Sequence, residues 1–398
     1  MPLLDVTLTS PNDWKYISEG GATIVFSYCG PPDERFDERV LRLKKQTIDV
    51  GGLEGDETFQ TEIIPRLVPR KHLVEMEAVT LSTSWLEALS ALSTSLRPTW
   101  RTDYIDCASP SGFLAPNLTS SLITVEIKPK WSFLRPGMHT CRFCMHSSIR
   151  GWTTSYCPLD LFSQNPTRMK DALYHLYNSQ TEGTATQNNF RIFIQGERAA
   201  PAQVTSTLQR LGMLQPEAMS QDRETRELVV ETLHASLVQP ESLSLLQTLN
   251  RLQRTLDDGG IENLASLWDQ VHLKQKPFGE GNVQPSLDEW SSFVKEYLKL
   301  QDTLASSEVE ADEARLRYHI LSYLLSTTFK DCSIMIMLDS LQHKSSTTPS
   351  RIFLIDLDPK PIERLSKWLK QDRNIANEYA ALASQSKKEC VDDWSSEK

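Results

Sequence analysis

The alternation of apolar and polar residues in the first third of the chain predicts short β-strands separated by turns. Residues 22–28 and 40–43 are apolar runs, and the Gly-Pro-Pro segment between them favours a hairpin-like connection. Between residues 80 and 95, leucines and an alanine recur at helical spacing, which predicts a helix. A further apolar strand is predicted at 122–127. The N-terminal part is therefore expected to be α+β.

Beyond residue 158 the pattern becomes helical. An apolar stripe predicts a helix that starts near Pro240, and residues 310–326 predict another helix. The stripe consists of Leu245, Leu249, Leu252 and Leu256. Two strands are predicted at 332–338 and 352–357, joined by a polar connection. Polar composition predicts loops or lobe insertions at 215–226 and 274–285, and a frayed, charged tail at 384–398.

Length, charge and cysteine content exclude several classes of protein. The 398 residues suffice for two lobes, each with its own core, and no run approaches the roughly 18 apolar residues of a membrane-spanning helix. The N-terminus lacks the features of a signal peptide, so a nuclear or cytoplasmic protein is expected. Seven cysteines, an odd number, do not indicate a disulfide framework. A net charge of −10 argues against a broad nucleic-acid or membrane surface, so cations for an anionic ligand must be concentrated in a cleft.

The strand at 122–127 is followed by charged residues at alternate positions. In an extended chain Glu126, Lys128 and Lys130 share one face, and Pro129 indicates a strand end or an edge. Two lysines placed in this way can bind phosphates, and the adjacent acid can take a ribose hydroxyl, an amine or a cation. The alternative is an ordinary solvated strand with a charged stripe.

A small-residue turn precedes the first predicted strand. Gly20 and Gly21, followed by Ala22 and Thr23, allow backbone N–H groups to approach a phosphate. Arg42 follows on the next strand and can reach the same phosphates. A glycine pair that forms only a turn is the alternative.

Three aspartates stand at the ends of the two late strands. Asp331 is expected to begin one strand, whereas Asp356 and Asp358 are expected to end the other on one face. Phosphoryl transfer needs one carboxylate to orient and deprotonate the accepting hydroxyl and another to hold magnesium. Asp331 and Asp356 are the candidates for these roles. Strand-end caps or turn residues are the alternative.

A cationic face is predicted just after these aspartates. Pro361 suits the first turn of a helix, which places Arg364 and Trp368 four residues apart on one face, with Lys360 just before the helix. This face can bind a polyanion. The alternative is a solvated surface, with Trp368 as a core anchor.

Three cysteines include one CxxC pair. Cys141, Cys144 and Cys157, with His139 or His146, have the ligand types of a Cys3His zinc site. Because there is no second CxxC pair and the fourth ligand is ambiguous, reduced and partly buried thiols are the favoured interpretation.

Seven short motifs in order along the chain resemble the inositol-pentakisphosphate 2-kinase family. They are Glu19-Gly-Gly-Ala22, Glu126-Ile-Lys-Pro-Lys130, Cys141-Arg-Phe-Cys-Met-His146, Tyr156-Cys-Pro-Leu-Asp-Leu-Phe162, Asn188-Asn-Phe-Arg191, Asp331-Cys-Ser-Ile-Met335 and Ile355-Asp-Leu-Asp-Pro-Lys-Pro361. The resemblance covers nearly the whole chain, and Glu-x-Lys-Pro-Lys is its signature. It implies direct transfer of the ATP γ-phosphate to the 2-hydroxyl of inositol 1,3,4,5,6-pentakisphosphate, which gives inositol hexakisphosphate (phytate).

The resemblance also implies roles for individual residues. The implied ATP-binding residues are Gly20, Gly21, Ala22, Thr23, Arg42, Glu126, Lys128, Arg191 and Asp356. The implied substrate-binding residues are Arg101, Lys130, Arg150, Asn188, Asp331, Lys360, Arg364 and Trp368. Asp331 would be the base, Lys128 a second catalytic residue and Asp356 the magnesium ligand. Residues 114–117 would form the adenine hinge. Thr23, Arg150 and Trp368 differ from the commoner family residues, which are asparagine, lysine and tyrosine.

The implied fold is an α+β, two-lobed inositol phosphate kinase. A small mixed-sheet N-lobe would span residues 1–138. A larger and mostly helical C-lobe, which contains a short sheet, would span residues 139–383, and a charged tail would span residues 384–398. ATP and magnesium are the implied cofactors, and a monomer without nucleic-acid or membrane partners is expected. Plant members of the family carry zinc in the helical lobe, but residues 250–328 contain no matching Cys and His group.

A catalytically inactive inositol polyphosphate-binding or scaffold protein is the alternative function. A base, a metal ligand and a nucleotide-binding lysine occur together in Asp331, Asp356 and Lys128, which favours a kinase. A kinase acting on another substrate is disfavoured because the chain has no His-Arg-Asp or Asp-Phe-Gly element. Five phosphate monoesters carry about −8 to −10, so the site must present several cations.

Overall fold

The computed structural model describes residues 3–20, 23–46, 58–152, 154–179, 189–212, 214, 221–257, 259–302, 312–339, 341, 351–383 and 387–394. Within these residues the chain forms α-helices and two β-sheets, so the predicted α+β fold class is confirmed. The helices are α1 (Thr83–Ser93), α2 (Arg142–Ile149), α3 (Pro158–Leu161), α4 (Pro166–Asn178), α5 (Pro201–Arg210), α6 (Gln221–Leu237), α7 (Pro240–Thr255), α8 (Gly260–Val271), α9 (Leu287–Asp302), α10 (Glu313–Asp331) and α11 (Leu365–Ala380).

The first sheet is mixed and contains seven strands. They are β1 (Leu4–Asp5), β2 (Trp14–Glu19), β3 (Thr23–Tyr28), β4 (Arg39–Gln46), β5 (Glu77–Thr80), β6 (Tyr104–Ile105) and β7 (Ser111–Pro116). The order is β1-β5-β7-β4-β3-β2, with β6 also paired to β4, and β1 is parallel to β5. The predicted connection between 22–28 and 40–43 is confirmed, because β3 and β4 pair antiparallel.

The second sheet contains five antiparallel strands. They are β8 (Ile123–Ile127), β9 (Phe190–Ile194), β10 (Glu197–Ala199), β11 (Ser333–Leu338) and β12 (Arg351–Ile355), in the order β10-β9-β8-β11-β12. β8 therefore lies at the centre of the second sheet and ends before Pro129. A boundary between lobes at residue 138, as the sequence predicts, assigns β8 to the N-lobe. In the structure β8 pairs with β9 and β11 of the second sheet.

Two separate hydrophobic clusters support the two sheets. The smaller cluster packs residues such as Trp14, Phe26 and Trp85 against the first sheet. The larger cluster joins the second sheet to the helices, and it contains Val125 and Ile127 of β8. Burial of the leucine stripe of α7 in the larger cluster confirms that prediction.

Several predicted elements differ from those observed. Residues 221–226 open α6 and are not a loop, since Leu228, Val229 and Val230 of this helix are buried. The helix predicted at 310–326 continues to Asp331, which removes Asp331 from the following strand.

No helix in the described ranges is long and apolar enough to cross a membrane.

The prediction of a frayed C-terminal tail is wrong for residues 387–394. The Asp392 carboxylate accepts hydrogen bonds from Leu134 N at 2.8 Å and from Arg254 Nη2 at 2.8 Å. The Trp394 indole donates to the Phe162 carbonyl over 2.9 Å. A charged segment without an apolar pattern gives no signal for such docking, because its partners lie far away in the sequence.

Candidate active site

The centre of the second sheet holds a charged network. Glu126 on β8 lies directly opposite Arg191 on β9, and Arg191 Nη1 donates to Glu126 Oε2 over 2.9 Å. Lys128 Nζ donates to Asp356 Oδ2 over 2.9 Å, and the Ser333 hydroxyl lies 2.9 Å from Glu126 Oε1 and 3.1 Å from Asp356 Oδ2. The ends of β8, β11 and β12 thus bring these polar side chains together on one face of the sheet.

Two residues of the site have left-handed backbone conformations. Lys130 has a φ of 66° and Asp356 has a φ of 61°, although neither residue is glycine. Such conformations cost free energy and are concentrated at functional sites. They also end the extended geometry on which side-chain alternation depends. The predicted shared face is confirmed for Glu126 and Lys128, since Lys128 Nζ lies 3.9 Å from Glu126 Oε1. Strand alternation does not extend to Lys130 or to residues 356 and 358, because β8 ends at Ile127 and β12 ends at Ile355.

The carboxylate of Asp356 is charged at neutral pH. Burial raises its pKa, but the Lys128 ammonium and the Arg42 guanidinium outweigh that effect and leave the pKa below the ordinary value. Arg42 belongs to β4, so its charge links the first sheet to this site. Asp358 behaves differently, since burial and the neighbouring Asp356 raise its pKa.

Lys128 interacts electrostatically with Asp331, the predicted base, and with Asp356, the predicted magnesium ligand. Burial lowers its pKa, whereas the charges of Asp356, Glu126 and Asp331 raise it, and the net direction is upward. The ammonium group is consequently positive at neutral pH. This places a permanent cation between the end of β12 and the end of α10.

A polar cavity of about 370 Å³ adjoins this network. From the predicted substrate-binding set, its lining includes Lys130, Asp331, Lys360, Arg364 and Trp368. The remaining lining residues are Trp131, Arg142, Phe143, His146, Trp152, Asn189, Tyr323, Thr327, Lys330, Gln371 and Asp372. Cations outnumber carboxylates in this lining, so the cavity is suited to an anionic ligand.

Asp331 is the last residue of α10, and the prediction that it begins a strand is wrong. Cys332 adopts an extended conformation immediately after it and starts the turn into β11. The Asp331 side chain is 59% exposed, and Lys360 Nζ donates to its Oδ2 over 3.0 Å. Partial burial raises the pKa of Asp331, but the ammonium groups of Lys360 and Lys130 lower it by more. The pKa therefore lies below its ordinary value.

Lys360 and Arg364 approach the cavity from the segment after β12. Gln284 anchors this segment, because its amide nitrogen donates to the Lys360 carbonyl over 3.3 Å and its amide oxygen accepts from Ile362 N over 2.9 Å. The helix begins with a 3-10 turn at Ile362–Arg364 and continues as α11. Trp368 lies one turn after Arg364 on the same wall, so the predicted shared face is confirmed.

The sequence analysis missed a buried lysine beneath the cavity. Lys330 Nζ donates to Asp257 Oδ2 over 2.7 Å, and both side chains are almost completely buried. The ammonium also lies 4.2 Å from the centroid of the Trp131 ring and 5.1 Å from that of Tyr323. Burial lowers the pKa of Lys330 to about 8, despite the opposing charge of Asp257.

A second missed group surrounds Asp372. Its carboxylate accepts hydrogen bonds of 2.7 Å from Arg135 Nη1 and from Arg142 Nε. Arg142 follows Cys141 directly, but neither the metal-ligand pattern nor the family resemblance of this motif assigns a role to the arginine. The pairing partner comes from α11, more than two hundred residues later, and no local pattern reveals it.

Other predicted substrate residues lie outside the described cavity lining. Arg150 Nε donates to His146 Nε2 over 3.2 Å, and His146 belongs to the cavity lining. Arg101 lies in an irregular segment before β6, where its Nη2 donates to the Glu19 carbonyl of β2 over 3.4 Å. Asn188 falls outside the described residues, although its neighbour Asn189 lines the cavity.

The predicted phosphate turn is described only at its two ends. Gly20 N donates to the Thr23 carbonyl over 2.8 Å, whereas Gly21 and Ala22 lie outside the described residues. Below the turn, the buried Lys45 ammonium donates to Gly20 O over 2.6 Å and to Glu19 Oε2 over 3.0 Å. This lysine was not singled out from the sequence. Its contacts anchor the start of the turn to β4.

The predicted hinge connects the two sheets. Residues 114–116 belong to β7 of the first sheet, and the chain reaches β8 of the second sheet six residues after Asn117. The Asn117 amide donates to Ser27 Oγ over 3.0 Å, and Asn117 N donates to the Glu38 carbonyl over 2.7 Å. The position is that of a linker between the two sheets.

Comparison with known proteins gives a consistent result. The sequence model of the family described as inositol-pentakisphosphate 2-kinase matches residues 16–374. A protein of Cryptococcus neoformans named inositol-pentakisphosphate 2-kinase is 32% identical over 405 residues, which cover 92% of this chain and 93% of the relative. Proteins of the same name from Danio rerio and Arabidopsis thaliana are 26% and 25% identical, with the same coverage.

Proposed function

The chain belongs to the inositol-pentakisphosphate 2-kinase family and is therefore a transferase, and we propose that it phosphorylates the 2-hydroxyl of inositol 1,3,4,5,6-pentakisphosphate with ATP. The product is inositol hexakisphosphate. The observation that carries the proposal is the position of Lys128, which bonds to Asp356 on one side and interacts with the charge of Asp331 on the other. A donor phosphate and an acceptor hydroxyl can meet at such a cation.

ATP binds between the two sheets in this proposal. Gly20, Gly21, Ala22 and Thr23 approach its phosphates, and Arg42 supplies a cation from β4. Support comes from the electrostatic action of Arg42 on Asp356, since this places both residues at one site. Glu126, Lys128 and Arg191 make the remaining nucleotide contacts. The hinge at 114–117 binds the adenine.

Asp356 is the proposed magnesium ligand. The residue fits this role because its carboxylate is ionised and 43% exposed, and carboxylate oxygens are the ligands that magnesium prefers. Lys128 Nζ and the Ser333 hydroxyl both lie within hydrogen-bonding distance of Oδ2, and Asp356 would hold the ion through its carboxylate. Bound magnesium supplies charge compensation on the phosphates.

Asp331 acts as the general base. Its carboxylate accepts the proton of the 2-hydroxyl while the hydroxyl oxygen forms a bond to the γ-phosphorus and the bond to the leaving ADP oxygen breaks. The reaction is a direct in-line transfer without a covalent enzyme intermediate. A depressed pKa keeps Asp331 unprotonated and able to accept the proton.

The cations of the cavity hold the inositol phosphate. Lys130, Lys360 and Arg364 contact its phosphates, and Trp368 packs beside the ring. Arginine forms bidentate contacts with phosphate, and several such contacts fix the ring so that one hydroxyl faces Asp331. Arg101, Arg150 and Asn188 complete the proposed set. Arg101 would contribute from its position beside Glu19 at the end of β2.

We retain the other expectations as proposals. The lobes are an N-lobe built on the first sheet and a larger C-lobe, with the boundary placed in the 117–122 linker instead of at residue 138. The protein is a monomer in the nucleus or the cytoplasm, with no nucleic-acid or membrane partner.

The decisive experiment incubates the full chain with ATP, magnesium and inositol 1,3,4,5,6-pentakisphosphate and assigns the product by phosphorus and proton NMR. A new phosphate on the 2-position supports the kinase. Binding of the pentakisphosphate by calorimetry without any turnover overturns it in favour of an inactive binding or scaffold protein. Phosphorylation of a different inositol phosphate would overturn the assigned substrate.

A further inference from the structure

Four cysteine sulfurs meet at the larger hydrophobic cluster. They belong to Cys141, Cys144, Cys157 and Cys390, and all four lie within 4.8 Å of one another. Cys141 precedes α2, Cys157 precedes α3, and Cys390 belongs to the docked C-terminal segment. The sequence indicates Cys141, Cys144 and Cys157 as candidate zinc ligands and leaves the fourth ligand ambiguous.

The spacing of the sulfurs matches a tetrahedral metal site. Zinc–sulfur bonds of about 2.3 Å at tetrahedral angles place the sulfurs about 3.8 Å apart. The Sγ atoms of Cys141 and Cys157 are 3.8 Å apart, and those of Cys157 and Cys390 are also 3.8 Å apart. A disulfide would require a separation of about 2.05 Å. The four sulfurs are therefore spaced as ligands around a common centre.

Backbone and charged groups around the cluster suit thiolate ligands. Cys144 N donates to Cys141 Sγ over 3.4 Å, and Cys141 N donates to Cys390 Sγ over 3.4 Å. The Lys388 ammonium is close enough to interact with the charges of Cys144, Cys157 and Cys390. Four thiolates and one divalent ion carry a net negative charge, which the donors and this ammonium partly compensate.

We propose that Cys141, Cys144, Cys157 and Cys390 bind one structural zinc ion. Three of the ligands are buried and the fourth is half-buried, and four sulfurs complete the coordination of zinc. This leaves no open position for a substrate, so the ion stabilises the fold and does not take part in phosphate transfer. Neither His139 nor His146 is a ligand, since the fourth position is taken by Cys390.

The ion connects the C-terminal segment to the wall of the polar cavity. Cys141 is the N-cap of α2, and the next residue of that helix, Arg142, lines the cavity and pairs with Asp372. Cys390 N donates to the His139 carbonyl over 2.9 Å, which holds the segment against the chain just before α2. Loss of the ion would release residues 387–394 and loosen the start of α2.

The first test measures metal in the full-length protein. After purification in a buffer without chelator, elemental analysis by inductively coupled plasma mass spectrometry should give one zinc per chain. Replacement of zinc with cobalt(II) should produce the visible absorption of tetrahedral cobalt and the near-ultraviolet charge transfer of thiolate ligands. Absence of zinc, iron in place of zinc, or a Cys141–Cys157 disulfide in peptide mapping without reductant would overturn the proposal.

The second test compares Cys390→Ser with Cys107→Ser. Both cysteines are half-buried, but Cys107 packs against the first sheet and lies outside the cluster. Zinc should be lost to a chelator at least about tenfold faster from Cys390→Ser, whereas Cys107→Ser should match the wild type. Equal retention in the two variants would exclude Cys390 as a ligand.

A third measurement does not depend on any variant. Brief alkylation of the native wild-type protein should label Cys29 and Cys107, and the four cluster cysteines should become reactive only after a chelator is added. Reactivity that is unchanged by the chelator would contradict a metal site.

Discussion

Lys360 Nζ donates a hydrogen bond to Asp331 Oδ2 over 3.0 Å, so the proposed base is paired with a cation from the segment after β12. The two residues are 29 positions apart and meet at the wall of the polar cavity. This contact couples the charge state of the base to the cations that are proposed to hold the substrate. Because Asp331 is more than half exposed, its carboxylate remains accessible to a hydroxyl group.

Replacing the base should abolish catalysis without removing nucleotide binding. Asp331→Asn keeps the shape of the side chain but cannot accept a proton, so kcat should fall by about 10²- to 10⁴-fold. ATP affinity, measured by calorimetry, should change little. Asp269→Asn, an exposed aspartate on α8, is the control and should retain full activity. An unchanged kcat in Asp331→Asn would remove this residue from the mechanism.

The acidic side of the pH profile of kcat/KM should depend on Lys360. The charge of Lys360 helps to hold the pKa of Asp331 below its ordinary value, so the carboxylate stays unprotonated, and active as a base, at mildly acidic pH. Lys360→Met removes one of the positive charges that counteract the effect of burial on this pKa. The pKa of Asp331 should therefore rise, so that the carboxylate becomes protonated at a higher pH than in the wild type. The ratio of variant to wild-type kcat/KM should therefore decrease as pH falls from about 7 to about 5. Substrate phosphates titrate identically in both assays, so a constant ratio would show that the two residues are not coupled.

Removing a cavity cation should weaken substrate binding selectively. Arg364→Met deletes charge-assisted hydrogen bonds, and the dissociation constant for inositol pentakisphosphate should rise by about 10- to 100-fold. Lys367→Met is the matched control, since Lys367 is an exposed cation on the same helix outside the cavity lining. The affinity for ATP should be similar in both variants. A parallel loss of ATP affinity in Arg364→Met would indicate damage to the fold.

Asp356→Asn should raise the magnesium requirement. The substitution removes the negative charge that is proposed to hold the ion, and each 1.4 kcal/mol of lost binding shifts the half-saturating magnesium concentration about tenfold. We expect a shift of at least this size in activity titrations at saturating ATP. If the magnesium midpoint matches that of the wild type while kcat falls, Asp356 is not a metal ligand.

The buried pair of Lys330 and Asp257 should make stability depend on alkaline pH. Burial lowers the pKa of Lys330 to about 8, whereas an unfolded lysine titrates near about 10.4. Between these values the unfolded chain binds more protons than the folded chain, so the free energy of unfolding should rise with pH, by up to about 1.4 kcal/mol per pH unit.

The double variant Lys330→Met, Asp257→Asn removes both charges and should lack this rise. Urea unfolding followed by tryptophan fluorescence at about pH 7.5, 8.5 and 9.5 provides the comparison. Equal pH dependence in the two proteins would mean that Lys330 keeps an ordinary pKa in the fold.

The order of strands and helices is largely accessible from local patterns. Apolar runs and helical spacing identify β3, β4, β8 and α7, since α7 buries a regular stripe of leucines and all five residues of β8 are buried. The errors fall at the boundaries. Asp331 was assigned to a strand because it precedes one, but the polar end of a helix and the start of a strand have the same local composition. Residues 221–226 were assigned to a loop for a similar reason.

The candidate site was recognised from the sequence through its motifs, not through its geometry. The Glu-x-Lys-Pro-Lys element and the two aspartate segments identify the residues that meet around Lys128. Their contacts depend on backbone turns at Lys130 and Asp356 that no alternation rule anticipates, because both residues have positive φ. Family membership supported these assignments, whereas Arg142 and Lys330 emerged only from their positions in the cavity.

The sequence by itself determined the fold class, the family and the residue types available for phosphate chemistry, because these depend on short-range periodicity and on motifs of adjacent residues. Only the tertiary structure decided which charges meet. The pairs Lys128–Asp356, Lys330–Asp257 and Arg142–Asp372, and the approach of Cys390 to three earlier cysteines, join segments separated by 73 to 249 residues. The physical reason is that side chains interact through space, and the packing of the whole chain determines which of them become neighbours.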